Sequence, residues 1–149
     1  MRGWRRRFCL RMLLGRGSPE RPGLMLALDR GGACRGVVFR IAAKDARSEL
    51  SLVWRREMLS GAYLARWVTI VTAAGAAKAI TFVVNRRHDR YVADLTDTEA
   101  ATCIATASGE LGSNAAYFAQ TREKLLSLGI RDAGLERIAT EIERLLPDR

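Results

Sequence analysis

The chain has 149 residues, 48% of them hydrophobic and 28% charged. That length suits one domain with a real core, and that composition excludes a disordered polymer. No apolar run approaches the ~20 residues needed to cross a bilayer as a helix, so no membrane partner is expected. The net charge of +9 is uneven: residues 1–40 hold ten arginines against Glu20 and Asp29, a balance of +8, and the remainder comes to +1. A basic N-terminal third suits an anionic partner, nucleic acid first among them. Against that, arginine far outnumbers lysine and alanine is abundant, as in products of GC-rich genomes. The aromatic residues do not interleave with the basic ones in a stacking pattern either. The expectation is a solvated basic surface and no nucleic-acid partner.

In chain order, Arg5–Leu10 reads as the first strand, although the acid-free, arginine-rich stretch Met1–Gly17 also has the composition of a transit peptide. Gly15–Gly17, Pro19, Pro22 and Gly23 mark a loop, Leu24–Leu28 a short apolar strand, and Asp29-Arg30-Gly31-Gly32 a turn. Cys34–Ala42 alternates loosely and predicts another strand. A helix is expected from Asp45 to Ser60, stopped by Gly61. Tyr63–Thr72 and Ala77–Val84, joined by Ala73-Ala74-Gly75, predict a hairpin. The last third is helical. Thr96-Asp97-Thr98-Glu99 has capping-box spacing before Ala100–Ala107, and Ser113 or Asn114 can cap Ala115–Leu128, with Gly129 at its end. Asp132 can cap a final helix to Leu146, stopped by Pro147, with Leu135, Ile138, Ile142, Leu145 and Leu146 as its core face. Strands with one inserted helix, then helices, indicate an α+β fold.

Cys9, Cys34 and Cys103 are odd in number and far apart, which fits a reducing cytoplasm with thiols serving as small apolar residues. His88 is the single histidine, on an expected exposed loop, so a zinc site has little to build on. No phosphate-binding glycine motif and no nucleophile elbow is present.

One residue breaks the pattern around it. In the helix Asp45–Ser60, Leu50, Val53, Trp54 and Met58 cluster on one side, and Glu57 falls inside that stripe. A lone carboxylate aimed at a core is costly unless paired or neutral. Burial and the negative end of the helix dipole both favour the neutral acid there, and a carboxyl group poised toward neutrality can take and return a proton. The other reading is a frayed helix end, with Glu57 reaching water or a nearby arginine. Glu49 is two turns away, ~12 Å, too far to share a proton. Tyr63, just after the turn, can place a hydroxyl near Glu57 or serve as an ordinary strand aromatic. The segment Gly112-Ser113-Asn114-Ala115-Ala116-Tyr117 opens a helix, either as a seat for a substrate carboxylate or as a routine cap.

Several stretches together resemble the ChaC family of γ-glutamylcyclotransferases: Gly3-Trp4-Arg5-Arg6-Arg7-Phe8-Cys9-Leu10, Gly17-Ser18-Pro19-Glu20-Arg21-Pro22-Gly23-Leu24 and Leu28-Asp29-Arg30-Gly31-Gly32-Ala33-Cys34-Arg35-Gly36-Val37. Trp54-Arg55-Arg56-Glu57-Met58-Leu59-Ser60-Gly61-Ala62-Tyr63, Phe82-Val83-Val84-Asn85-Arg86 and Ser108-Gly109-Glu110-Leu111-Gly112-Ser113-Asn114 extend the likeness over nearly the whole chain. The resemblance implies a compact α+β fold with a small mixed barrel and packed helices, in one domain over residues 1–149. It implies cleavage of glutathione to 5-oxoproline and Cys-Gly, with glutathione or another γ-glutamyl peptide as the partner and with no metal and no organic cofactor. Glu57 matches the family's catalytic glutamate, and Tyr63, Ser113 and Tyr117 are the expected substrate contacts. The family's first strand ends in Tyr-Gly-Ser-Leu, which this sequence does not contain, so the domain is expected to lack that strand. A family member acting as a non-catalytic binding or regulatory module is the alternative.

Overall fold

The computed structural model describes residues 1–146. Its elements run β1 (Arg2–Met12), β2 (Gly23–Ala33), α1 (Ala46–Met58), β3 (Tyr63–Thr72), β4 (Gly75–Val84), α2 (Asp97–Thr106), β5 (Ser108–Gly109), β6 (Gly112–Ser113), α3 (Asn114–Ser127) and α4 (Ala133–Leu145). The class is α+β. The strands pair as three two-stranded sheets, β1 with β2, β3 with β4 and β5 with β6, and close no barrel among the described residues. The chain divides into two compact units, one of Met1–Arg5 and Leu28–Asp89, the other of Arg6–Ala27 and Arg90 onward.

The second unit holds the main apolar core: Phe8, Leu24, Ala100, Ala101, Ile104, Phe118, Leu135, Ile138 and Ala139. Phe8 stacks at a tilt on Phe118, ring centres 5.2 Å apart. Each helix around this core starts on a side chain that satisfies N–H groups the helix itself leaves unbonded. Thr96 accepts from the Glu99 amide at 3.2 Å while Glu99 accepts from the Thr96 amide at 2.8 Å, the expected capping box. Ser113, not Asn114, caps α3, accepting from the Ala116 amide at 3.1 Å. Asp132 caps α4 through the Gly134 amide at 3.1 Å. Helix α3 ends with Gly129 at a φ of +67°, and the Gly129 and Ile130 amides donate back to Leu126 and Leu125. Leu145 and Leu146, expected in the core, are exposed at 44% and 36%, because they extend past the last residue that α4 packs. The expected stop at Pro147 lies outside the described residues.

Asn114 is fully buried at the start of α3 and acts as a strand edge in miniature. Its Oδ1 accepts from the Leu24 amide at 2.8 Å and its Nδ2 donates to the Leu24 carbonyl at 2.9 Å. Nearby, Gly17 and Gly109 allow backbones to touch. A Cβ at Gly17 would collide with the Met12 carbonyl and the Gly23 amide, and one at Gly109 with the Gly15 carbonyl.

In the first unit, β3 and β4 form an antiparallel hairpin from Tyr63 opposite Val84 to Thr72 opposite Gly75, around the two-residue loop Ala73-Ala74. Val68 and Ile70 turn inward, whereas Trp67 and Val71 are exposed at 70% and 80%. Two expectations fail here. Asp29–Gly32 is not a turn but continues β2, with Gly31 and Gly32 accommodating positive φ within it. Cys34–Ala42 forms no strand, and Val37, Val38, Phe39 and Ile41 are exposed. An alternating segment becomes a strand only when a neighbour takes its backbone groups. Here Cys34 pairs with the chain start: its amide donates to the Met1 carbonyl and its carbonyl accepts from the Met1 amino group.

Two tests follow from the second unit. Asn114→Ala leaves the buried Leu24 amide and carbonyl unbonded and is expected to cost about 2–4 kcal/mol, read by urea unfolding. Arg122 grips Glu136 with two hydrogen bonds, at 3.1 and 2.7 Å, which link α3 to α4 and hold the Glu136 carboxyl below its ordinary pKa. A carboxyl depressed in the folded state adds stability above its unfolded pKa, and that stability fades as pH falls through the folded value. Glu136→Gln is therefore expected to flatten the loss of stability below about pH 4.3, measured as Tm against pH.

Candidate active site

Helix α1 carries Glu57 on its last turn, but it buries none of its residues. The apolar stripe of Leu50, Val53, Trp54 and Met58 meets the β3–β4 hairpin without being covered by it. Trp54 reaches the Phe82 ring edge-on at 5.9 Å while Val53 and Trp54 stay exposed at 40% and 42%. The expectation of a carboxylate aimed at a core is thus corrected. The Glu57 side chain is 21% exposed and pairs at 2.9 Å with Arg56, itself 82% exposed. A nearby arginine was one of the two readings open for Glu57. An exposed pair of this kind contributes little stability and leaves the carboxylate able to exchange partners.

The turn after α1 is more tightly specified than the helix. Gly61 takes a φ of +69°, which ends the helix and redirects the chain into β3. Three successive carbonyls of this turn then find partners in one segment following β4. Ser60 O lies 3.0 Å from His88 Nε2, Gly61 O accepts from Asn85 Nδ2 at 2.9 Å, and Ala62 O accepts from the Asn85 amide at 2.8 Å. His88, expected on an exposed loop, is half-buried with its ring against this turn. Tyr63 follows directly, half-buried as the first residue of β3.

Asn85–His88 is tied down in turn by its neighbour Arg86, whose Nε donates to Asp29 Oδ1 at 2.6 Å. Asp29 is completely buried on β2 and also accepts from the Arg30 amide at 2.8 Å. Sequence reasoning missed this pair. The available signal was periodicity two: Ala27 and Asp29 lie on one face of β2, and Ala27 is buried.

The other two expected site residues belong to the second unit. Ser113 is the α3 cap, and its carbonyl accepts from Arg16 Nη1 at 3.2 Å. The Tyr117 hydroxyl accepts from the Leu26 amide at 3.4 Å, its ring meets Phe8 edge-on at 5.9 Å, and the Arg16 guanidinium sits 5.8 Å from its centre. The structure thus places Glu57 and Tyr63 on either side of one turn, and Ser113 and Tyr117 on the first turn of one helix. An open cavity of about 340 Å³ lies along α1, lined by Arg47, Leu50, Ser51, Trp54 and Arg55, and does not include Glu57. No group of three or more His, Cys, Asp or Glu among the described residues is arranged to hold a metal ion. No helix among them is long and apolar enough to cross a membrane.

The described residues form an α+β fold, and the sequence assigns its class. Residues 1–145 match the model of the ChaC-like protein family, and the chain belongs to that family. It is 40% identical to a glutathione-specific γ-glutamylcyclotransferase of Escherichia coli (strain K12) over 147 residues, which are 98% of this chain and 64% of that protein. It is 27% identical to the glutathione-specific γ-glutamylcyclotransferase 1 of Danio rerio over 128 residues, 83% of this chain and 65% of that one. The chain therefore spans slightly less than two thirds of these curated relatives. The crystal structure of a yeast γ-glutamylcyclotransferase specific to glutathione shares the fold, with a TM-score of 0.78 at 17% identity over 97% of this chain and 87% of that one.

Arg86→Ala removes a cation paired with a fully buried carboxylate and is expected to cost about 3 kcal/mol, whereas Arg87→Ala on the exposed side of the same turn should stay within ~0.5 kcal/mol. Chemical denaturation of the two variants measures the difference.

Proposed function

We propose that this chain is a γ-glutamylcyclotransferase acting on glutathione, with Glu57 as its acid and base. The observation that carries the reading is the placement of Glu57. It stands on the last turn of α1, partly shielded yet reachable by water, just before the turn that leads into Tyr63. Membership of the ChaC-like family and the glutathione specificity of the E. coli relative support the choice of substrate.

The chemistry needs few parts. The α-amino nitrogen of the γ-glutamyl unit attacks its own γ-carbonyl carbon and closes a five-membered ring. The γ-amide C–N bond then breaks. 5-Oxoproline and Cys-Gly leave, and no oxidant, reductant or metal enters the balance. The attacking nitrogen must lose a proton and the departing nitrogen must gain one, so one carboxylate in reach of both can take the proton and return it. The two reacting groups belong to one molecule, so holding the γ-glutamyl chain folded supplies much of the rate. Tyr63, the first residue of β3 directly after the turn that follows Glu57, is proposed to contact the substrate.

Glu57→Gln keeps the shape and removes the proton carrier, so release of 5-oxoproline from glutathione should fall by about 100-fold or more. Chromatographic assay of 5-oxoproline from the purified protein and the variant measures this. If the unaltered chain releases none, or Glu57→Gln releases as much, the non-catalytic binding or regulatory module is the reading to keep.

A further inference from the structure

We propose that Asn85 and His88 are positioning residues for Glu57, acting through the turn Ser60-Gly61-Ala62; the proposal rests on Glu57 being the proton carrier. A turn between a helix and a strand has carbonyls that neither element bonds. Here three consecutive ones are held by a single four-residue segment, two of them by side chains.

The donors are fixed in orientation. Asn85 Oδ1 accepts from the Arg87 amide at 3.1 Å, which leaves Nδ2 as the end that faces Gly61 O. The His88 amide donates to the Asn85 carbonyl at 3.0 Å, so the segment closes on itself before it reaches across. A carbonyl only accepts, so the ring nitrogen at Ser60 O must carry the hydrogen, which selects the Nε2–H form of His88. Gly61 has no side chain, takes a left-handed conformation, and would set a Cβ 4.0 Å from the His88 ring. A side chain at this position would therefore come up against the ring that bonds to Ser60 O.

The consequence falls on α1. The Gly61 amide donates to the Met58 carbonyl at 3.2 Å, so the turn is joined to the residue after Glu57. With so little of α1 buried, its last turn is oriented less by packing than by this bonded turn. Arg86, inside the same segment, anchors the clamp to buried Asp29. Misplacing a reacting group by about 1 Å can cost 100-fold in rate, so a clamp one turn from Glu57 is felt in the chemical step more than in binding.

The test separates kcat from KM and carries a readout that needs no turnover. His88→Ala loses the bond to Ser60 O, His88→Gln keeps an amide nitrogen in nearly the same place, and Asn85→Asp keeps the size while replacing the donor to Gly61 O with an acceptor. Expected for 5-oxoproline release are a fall in kcat of about 10- to 100-fold in His88→Ala and Asn85→Asp, with KM held within about threefold, and recovery in His88→Gln to within about threefold of the unaltered protein. The ¹³C resonance of the Glu57 carboxyl should move in His88→Ala and return in His88→Gln. An unchanged kcat and an unmoved Glu57 resonance in both His88→Ala and Asn85→Asp would overturn the proposal, as would His88→Gln failing alongside His88→Ala. An inactive parent chain, or an active Glu57→Gln, counts against the cyclotransferase reading, and the Glu57 resonance then still decides whether the clamp positions that residue.

Discussion

A carboxylate with no access to water must be given a cation or neutralised, and Asp29 is given Arg86. Much of the first unit follows from that requirement. Arg86 can reach Asp29 only if the chain leaving β4 turns back toward β2, and that turn is the one that presents Asn85 and His88 to the end of α1. One buried charge thus fixes a segment that apolar packing alone would leave underdetermined, since the hairpin β3–β4 turns Trp67 and Val71 to solvent. An arginine suits the position because part of its side chain, 45% exposed, can stay hydrated while its Nε meets the buried oxygen.

The second unit solves the corresponding problem without charge. Asn114 offers one donor and one acceptor to the backbone of Leu24, a demand that no aliphatic residue could meet. The apolar cluster around Phe8 then closes over groups that are already satisfied. Asp29 and Asn114 are the buried polar residues of the described chain, one in each unit, and both tie a later segment back to β2.

The local rules in the sequence were sufficient for most elements. The capping box at Thr96, the glycine stop after α3, the Asp132 cap and the tight hairpin loop depend on a few adjacent residues, and each is present. Where the outcome depended on a distant partner, the reading failed. Cys34–Ala42 has the composition of a strand but joins no sheet among the described residues. The stripe on α1 has helical spacing but too little surface opposite to cover it. The same limit governed the site. Glu57, Tyr63, Ser113 and Tyr117 stand in recognisable stretches of sequence. The pairing of Asp29 with Arg86, and of His88 with Ser60, joins residues 57 and 28 positions apart and becomes visible only when the chain is folded.

Burial is divided unequally between the two units. The first keeps Ala62, Val68, Ile70, Val83 and Val84 from solvent, while the second encloses two phenylalanines and the inner faces of three helices. Local opening is easiest where apolar burial is thin and hydrogen bonds are exposed. The segment bearing Glu57 therefore lies where local opening costs less. Its susceptibility to proteolytic cutting and the constancy of its geometry are governed by the same few bonds at Ser60, Gly61 and Ala62.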